Sequence, residues 1–192
     1  MPYSAKHKKQ SRKRILESAA RCFLHQGYEQ TGINEIMRDA GMTHGAFYAH
    51  FSSKSELYDK AMTYAAKNGR FTAHLSSDKP GKEWFQEVLD SYLDLNHLQG
   101  GEMPCPLAFL VTDVATREPD VRDTYTRIYK NMNRFISRYT DYGKEKQSDE
   151  FYALTAMMIG GVALSRAVND PKLVENLLKS CRQSATRLLN NE

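Results

Sequence analysis

The stretch NEIMRDAGMTHGAFYAHFSSK, residues 34–54, decides the fold of this 192-residue chain. Its pattern predicts two short helices joined by a tight turn at Gly41, a residue type that tolerates the left-handed backbone of such reversals. A third helix should open at Lys54. Two short helices joined by a Gly-containing turn are typical of modules that read duplex DNA.

Local signals indicate where these helices begin and end. Thr43 is suited to cap the second helix, which should run to about His50. Ser53 followed by Glu56 fits a capping box for the next helix. Upstream, an amphipathic helix carries apolar residues on one face at helical spacing and should stop at Gly27.

Charge is distributed unevenly along the chain, although the formal net charge is only +4. Residues 1–60 hold ten Lys and Arg against six Asp and Glu, whereas residues 61–192 hold seventeen of each. The first fourteen residues contain six cations and no acid. This asymmetry favours contact with a polyanion at one end, and a solvated basic tail is the alternative that charge alone leaves open.

Composition and motifs argue against several classes of protein. The three cysteines, at positions 22, 105 and 181, are too widely spaced for a disulfide framework or a zinc site. No phosphate loop, GxSxG, HExxH or carboxylate pair indicates an enzyme, and we expect no cofactor. The basic N-terminus lacks the apolar core of a leader peptide, and the longest apolar run, residues 151–164, is too short to span a bilayer. We therefore expect a cytoplasmic protein.

The rest of the chain also has helical patterns, so we predict an all-α protein of about nine helices. A three-helix helix-turn-helix domain should occupy residues 1–60, where the basic excess ends. A helical ligand-binding and dimerisation domain should occupy residues 61–192. Within it, a short helix is expected from Pro104 to Thr116.

The last two helices indicate self-association. Between Phe151 and Val168 the only charge is Arg166, and a helix that is apolar nearly all round must be covered on nearly all sides. The final helix adds an apolar seam, so two helices per subunit suit a four-helix interface; ordinary core of one subunit is the alternative. The predicted interface residues are Met157, Gly160, Gly161, Leu164, Leu177, Cys181 and Leu188.

These observations make the N-terminal region similar to the TetR family of bacterial transcriptional repressors. The matching residues are Ile15-Leu16-x-x-Ala19-Ala20-x-x-Phe23, Gly27-Tyr28-x-x-Thr31, Ile33-x-x-Ile36-x-x-x-Ala40-Gly41-Met42-Thr43-x-Gly45-x-Phe47-Tyr48-x-His50-Phe51 and Lys54-x-x-Leu57. The match covers roughly residues 12–62; beyond residue 65 only the architecture is similar. Gly32 and Met37 depart from the family pattern, which often has Ser or Thr and Ala at these positions.

The helix after Thr43 then becomes the recognition helix, whose first turn enters the major groove. His44 should donate to a base acceptor and Ala46 should touch a thymine methyl. The resemblance implies phosphate contacts from Tyr48, His50 and Lys54. Phe47 and Phe51 should be buried in the core. The predicted DNA-contacting residues are Thr43, His44, Gly45, Ala46, Tyr48, His50 and Lys54, with Thr31, Arg12, Arg14 and the flanking Lys8, Lys9 and Lys13. A core aromatic at Tyr48, a solvated His44 and a structural His50 are the alternatives.

The resemblance also implies a sensor. A ligand in the predicted C-terminal domain would move the helix that follows the DNA-binding domain. This movement would change the distance between the recognition helices of the two subunits, which must match the spacing of the operator half-sites. Aromatic residues of the middle helices are candidates for its pocket, although ordinary core is the alternative for each. These candidates are Trp84, Tyr92, Phe109, Tyr125, Tyr129 and Met132.

Cys105 completes the candidate pocket. It lies in Met103-Pro104-Cys105-Pro106-Leu107, at a predicted helix start that should stabilise the reactive thiolate. The Cys-Pro-Leu element is similar to a TetR branch that answers to electrophiles or oxidants. A small buried residue is the alternative.

The sequence thus predicts a homodimeric repressor that a small-molecule or electrophile inducer releases from a palindromic operator. A thiol-based sensor acting through Cys105 is one alternative, and a helical interaction protein without specific DNA binding is another. The expected partners are double-stranded DNA, a second copy of the chain and an unidentified inducer, with no membrane.

Overall fold

A computed structural model describes residues 5–69, 81–99, 103–139 and 149–190, and all regular structure in these ranges is helical. The helices are α1 (Ala5–Gln30), α2 (Ile33–Asp39), a 3₁₀ helix (His44–Ala49), α3 (Lys54–Asn68), α4 (Lys82–Tyr92), α5 (Leu95–Leu98), α6 (Pro106–Phe109), α7 (Val111–Val114), α8 (Pro119–Tyr139), α9 (Asp149–Ala167) and α10 (Pro171–Asn190). The predicted all-α fold is confirmed. These eleven segments exceed the expected nine partly because Leu110, with φ −116° and ψ 8°, divides the predicted 104–116 helix into α6 and α7.

Helix α1 begins well before the apolar repeat of the sequence. Residues 5–14 contain no Gly or Pro and consist mainly of Ala, Lys, Gln and Arg, which are good helix formers. The basic segment expected as a flanking arm is therefore the first part of a helix. Gly27 ends the regular helix as predicted, with φ 77° and ψ 178°, and a short helical turn follows to Gln30.

The head, comprising α1, α2, the 3₁₀ helix and the first part of α3, packs around one apolar cluster. Ser18 Oγ donates to the Ile36 carbonyl at 2.9 Å and fastens α2 to α1. Phe47 and Phe51 are buried, as predicted, so the 3₁₀ helix is held from its inner face. The buried residues of the head include Ile15, Ala19, Phe23, Ile36, Met37, Phe47, Phe51 and Leu57.

The segment after Thr43 is helical but has 3₁₀ geometry. Its backbone bonds run from Ala46 N–H to Thr43 O (3.1 Å) and from His50 N–H to Phe47 O (2.9 Å). The predicted side-chain cap is wrong, because Thr43 accepts no hydrogen bond from the first turn of this helix. The Thr43 main-chain carbonyl takes the Ala46 N–H instead, which leaves the hydroxyl uncommitted within the described part of the chain.

Helix α3 starts at Lys54, as predicted, behind a Ser53 cap. Ser53 Oγ accepts from the Glu56 N–H at 3.0 Å. The Glu56 carboxylate turns to Ser52 and accepts from its N–H at 2.8 Å and from its hydroxyl at 2.7 Å. The predicted capping box is therefore shared between two serines, and both orient the entry into α3.

The body consists of α4 to α10 together with the C-terminal part of α3. Trp84 of α4 meets Phe135 of α8 edge-on, with 5.5 Å between ring centroids. Phe151, Leu154 and Met158 of α9 are buried, and α9 packs against α10, α6 and α5. Because one contiguous cluster of buried side chains runs from head to body, α3 is a structural element of both. No helix in the described ranges is long and apolar enough to cross a membrane.

Helix α9 is covered on one side only within a single chain. Tyr152 and Leu164 are 43% and 53% exposed, and Gly160 also faces outward. Gly161 points inward, because a Cβ built there would lie 3.0 Å from Cys181 Sγ of the same chain. The prediction that placed Gly161 between subunits is therefore wrong, since close packing of α9 on α10 accounts for it.

Candidate nucleic-acid interface and body cavity

The outer face of the 3₁₀ helix is exposed and carries side chains that can contact DNA. His44 and Gly45 are exposed, Ala46 is half-buried, and Tyr48 is 63% exposed. The His44 and Tyr48 rings meet edge to face, 5.9 Å apart. Four predicted contact residues are thus brought together on one small surface, and Tyr48 is not a core aromatic.

Thr31, by contrast, cannot contact DNA. Its side chain is fully buried, and its Oγ1 donates to the Gly27 carbonyl at 2.7 Å. This bond satisfies the C-terminal turn of α1 just where Gly27 breaks the helix. The prediction that Thr31 touches DNA is therefore wrong, and its role is to close a turn.

Arg12 and Arg14 have partners within the head. The Arg12 guanidinium lies 4.1 Å from the Phe51 ring centroid, donates to the His50 carbonyl and sits 3.9 Å from Glu56 Oε1. Arg14 donates to the Ala40 carbonyl at the end of α2, where exposed carbonyls attract a cation. Arg12 braces the end of the 3₁₀ helix from α1, and Arg14 braces the end of α2.

The lysines of α1 do not all face the same side. Lys8 lies close enough to His50 to influence it electrostatically. Lys6, Lys9 and Lys13 instead line a groove of about 390 Å³ on the side of α1 that faces Tyr64 of α3. The basic excess of the N-terminus is therefore divided between two faces of one helix.

His50 is half-buried beside this basic cluster. Burial lowers the pKa of its imidazole, and the charges of Lys8, Arg12 and His7 lower it further. Its Nδ1 atom is buried without a hydrogen-bond partner among the described residues. His50 is therefore neutral near pH 7 and can gain a proton when a negative group approaches.

Lys54 is oriented by an aromatic ring. Its ammonium lies 4.3 Å from the centroid of the Tyr28 ring, and the guanidinium of Arg117, from the body, lies 4.6 Å from the same centroid. Arg117 also forms an ion pair with Glu29 at 2.8 Å. Lys54, which is predicted to contact a phosphate, is thus positioned by the Tyr28 ring, and Arg117 of the body contacts the same ring.

Asp113 of α7 joins the body to the head. Its Oδ2 atom accepts from the Tyr58 hydroxyl at 2.5 Å and from the Tyr28 N–H at 3.2 Å. Burial and this bond to Asp113 both raise the pKa of Tyr58, so its hydroxyl keeps the proton that it donates. No local sequence pattern indicates this role, because the partners of Asp113 are 55 and 85 positions away in the chain.

Arg166 makes a second link between body and head. Its guanidinium lies 3.8 Å from the Phe109 ring centroid and donates to the Phe109 carbonyl at 2.9 Å and to the Leu24 carbonyl at 3.5 Å. The one charge of an otherwise apolar helix segment therefore ties α9 to α6 and to α1. In the sequence, the signal for this link is the single charge of Arg166 in an otherwise apolar helix segment.

A cavity of about 620 Å³ opens between α3, α6 and α8. Of the seven predicted pocket residues, Cys105 and Met132 lie among its described lining residues. The other described lining residues are Thr63, Ala65, Ala66, Lys67, Gly69, Pro106, Leu107, Arg127, Ile128, Asn131 and Phe135.

The remaining five predicted pocket residues pack behind or beside this lining. Tyr125 donates to the Leu107 carbonyl at 2.6 Å, and Tyr129 shares a 2.9 Å hydrogen bond with Thr155. Trp84 lies behind Phe135. None of these five residues is among the described lining residues of the cavity. Tyr92 and Phe109, the last two, flank the buried His97.

His97 holds the segment that leads to Cys105. The Cys105 N–H donates to His97 Nε2 at 3.2 Å, so the other ring nitrogen, Nδ1, carries the proton and donates to the Tyr92 carbonyl at 2.6 Å. Burial raises the pKa of the Cys105 thiol and outweighs the Tyr92 hydroxyl and the N–H groups of Leu107 and Ala108, which lower it. The predicted stabilised thiolate is therefore wrong: at a four-residue helix in a buried wall, desolvation is the larger effect.

Comparison with known proteins gives one consistent result. Residues 15–61 match the family model described as "Bacterial regulatory proteins, tetR family". YxaF of Bacillus subtilis (strain 168), an uncharacterized HTH-type transcriptional regulator, is 24% identical over 170 residues, which cover 83% of this chain and 87% of that protein.

Two solved structures show the same fold. A TetR transcriptional regulator from Chloroflexus aurantiacus J-10-FL aligns with a TM-score of 0.74 at 19% identity, over 97% of this chain and 98% of that one. The reduced form of Escherichia coli NemR aligns with a TM-score of 0.69 at 19% identity, over 90% of this chain and 96% of that one.

Proposed function

We propose that this chain, a member of the TetR family of bacterial regulatory proteins, is a homodimeric repressor that leaves a palindromic operator when an inducer enters its body. Membership of the family makes it a DNA-binding transcriptional regulator and not an enzyme. The single observation that carries the finer proposal is an exposed reading surface, at the 3₁₀ helix, on a head whose next helix forms a wall of the body cavity.

The reading surface is suited to the major groove. Gly45 has open space around it, since a Cβ built there would meet nothing within 4 Å, and a base edge can therefore approach the backbone. His44 supplies a donor and Ala46 an apolar contact for a thymine methyl. The buried side chain of Phe47 anchors the inner side of the 3₁₀ helix, so the exposed side chains keep a fixed arrangement.

Phosphate contacts would surround this surface. Tyr48 projects from it, and the Thr43 hydroxyl and Lys54 lie at its two ends; His50 gains from protonation beside a phosphate. Arg12 and Arg14 contribute positive charge while bracing the fold. Thr31 is excluded from this set because it is buried.

Two copies of the chain would present two such surfaces. Leu164 is half-exposed on α9 and Gly160 leaves room beside it, while Met157, Leu177, Cys181 and Leu188 are partly buried. An uncovered apolar face of this kind on α9 and α10 supports a four-helix interface. A twofold dimer then sets the distance between half-sites, which is about one turn of duplex, roughly 34–36 Å, or a multiple of it.

The inducer would act through α3. The end of α3 lines the cavity through Thr63, Ala65, Ala66 and Lys67, and the same helix begins at Lys54. We place the boundary between the two domains, 1–60 and 61–192, within this helix. A ligand that binds one position of α3 more tightly than another shifts the head, which is the differential affinity that allostery requires.

The test is selection of duplexes from random DNA with the full-length protein. We expect a palindromic consensus whose half-sites are about 10 base pairs, or a multiple of that, apart. Tyr48→Ala and Lys54→Ala should each weaken binding to any duplex by about 1–2 kcal/mol, and His44→Ala should change the preferred sequence. Lys130→Ala, which removes an exposed cation from α8, is the control and should bind like the wild type. No consensus, or equal binding by all variants, would contradict the proposal.

A thiol-based sensor is the second candidate, because Cys105 lines the cavity. Its raised pKa argues for slow reaction with electrophiles near pH 7. Operator release by a quinone or by hypochlorite should therefore be compared in the wild type and in Cys105→Ser. Release from the wild type alone would make the thiol the sensor, and equal release would leave Cys105 as a wall residue.

A further inference from the structure

The described wall of the body cavity combines an apolar interior with positive charge at its mouth. Leu107, Ile128 and Met132 are buried and line its inner part. Lys67 and Arg127 are exposed and line the same cavity. The described lining contains no Asp or Glu.

Within the described ranges, neither of these two cations is neutralised by a carboxylate. Arg127 donates one bond, to Thr124 Oγ1 on its own helix at 2.9 Å, which orients the guanidinium and leaves other donors available. Two cations that flank an apolar cavity raise the local concentration of anions at its mouth.

We propose that this cavity binds an amphipathic organic anion, a carboxylate with an apolar body, whose charged end lies between Lys67 and Arg127 and whose apolar part contacts Leu107, Ile128 and Met132. The proposal rests on the cavity being the inducer site of the proposed function, and it names the chemical class of the inducer.

The geometry supports this orientation of the ligand. Asn131 is exposed beside Arg127 on α8, one turn along the helix, and its amide can donate to a carboxylate oxygen. The inner wall offers thioether and hydrocarbon surface, which suits flexible apolar groups. The volume of about 620 Å³ is that of a site for a small organic ligand.

The ligand would bind without forming a bond to the protein. Cys105 is the nucleophilic side chain of the described wall, and burial keeps its thiol protonated. A carboxylate has no leaving group that a thiol would displace under these conditions. The complex is therefore reversible, and dilution should recover the free protein.

The test is calorimetric titration of the full-length protein with three probes that share a ten-carbon chain: decanoate, decanol and decyltrimethylammonium. We expect decanoate to bind at least about tenfold more tightly than the other two, since two partly exposed ion pairs of up to about 1 kcal/mol each together contribute that much. Chain length should matter as well, with roughly fourfold weaker binding for each methylene removed. The single tryptophan, Trp84, lies against the lining residue Phe135 and gives an independent fluorescence signal.

Variants separate the charge from the shape of the site. Arg127→Gln and Lys67→Gln should each weaken decanoate about fivefold and leave decanol unchanged. Lys130→Gln, an exposed lysine of the same helix α8 that does not line the cavity, is the matched control and should change neither probe. Equal affinity for decanoate and decanol, preference for the ammonium, absence of binding by any probe, or insensitivity to both substitutions would overturn the proposal.

The titration contains no DNA, so its outcome is independent of whether the cavity controls the operator. Tight, charge-dependent binding of decanoate supports the assigned ligand class even if operator DNA is then retained. In that case the failure belongs to the proposed function, specifically to induction through α3. The two proposals can therefore fail separately.

Discussion

Replacing Tyr58 by Phe tests how firmly the body holds the head. Tyr58 is fully buried, and its ring packs edge-on against Phe23 at 4.9 Å and against Tyr28 at 5.2 Å. Phenylalanine keeps that packing and removes only the hydroxyl that donates to Asp113 at 2.5 Å. The substitution therefore isolates one hydrogen bond between the two parts of the molecule.

The expected loss follows from the charge and burial of this bond. A hydrogen bond to a charged group contributes about 1.5–3 kcal/mol. Asp113 is half-buried and keeps its bond from the Tyr28 N–H, so water can partly replace the lost donor. We expect the free energy of unfolding of Tyr58→Phe to fall by about 1.5–2 kcal/mol, the lower part of that range.

Urea unfolding at a single protein concentration measures this change, because the stability of the proposed dimer would depend on protein concentration. Tyr48→Phe, which removes an exposed hydroxyl, is the control and should stay within about 0.5 kcal/mol of the wild type. Combining Tyr58→Phe with Asp113→Asn should give a coupling energy of at least about 1 kcal/mol. Additive effects of the two substitutions would refute the assignment of Asp113 as the partner that matters.

Three further outcomes are expected. Because the folded-state pKa of His50 is lowered, the unfolded chain binds more protons, and the free energy of unfolding should decrease as the pH is lowered from about 7.5 to about 6. Operator affinity, measured by fluorescence anisotropy, should increase as the pH is lowered over the same range. His50→Gln should abolish this increase. Gly161→Ala should not melt above the wild type, because the roughly 0.5–1 kcal/mol that alanine gains over glycine inside a helix is offset by a new methyl that would meet Cys181 at 3.0 Å; a higher melting temperature would show that the packing of α9 on α10 yields freely. Leu164→Arg should sediment as a monomer with unchanged helical circular dichroism, and an intact dimer would move the interface elsewhere.

The head could be predicted from sequence because its signals are local. Gly27 ends a helix through its own backbone, and Ser53 caps the next helix through a bond to a residue three positions on. Phe47 and Phe51 are four residues apart, so their common burial follows from helical spacing. In each case the partner lies within one turn of the chain, where composition is informative.

Contacts between residues far apart in the chain were harder to predict from the sequence. Thr31 matched a pattern that placed it among DNA contacts, yet its hydroxyl closes a turn inside the head. Asp113 had no pattern at all, because its role depends on how two domains pack. The thiolate at Cys105 was inferred from a helix start, but burial, which sequence does not report at one residue, decided the direction of its pKa.

The pocket shows the same division. The sequence predicted aromatic residues as ligand contacts, whereas Tyr125 and Tyr129 direct their hydroxyls to partners in the core. Lys67 and Arg127, which lie at the mouth of the cavity, are surface cations of ordinary appearance in the sequence. They became candidates only when packing of α3 on α8 placed them around a common opening.

The links made by Arg166 and Asp113 have a consequence for experiments at different ionic strengths. Arg166 donates to main-chain carbonyls and Asp113 accepts from a hydroxyl and an amide, so neither link is a pair of opposite charges that dissolved ions would screen. Added salt should therefore leave these two links unchanged, although it screens the exposed Arg117–Glu29 ion pair between body and head, which contributes little. The decline of log affinity with log salt concentration then mainly measures the counterions that DNA releases, about 0.9 for each phosphate neutralised.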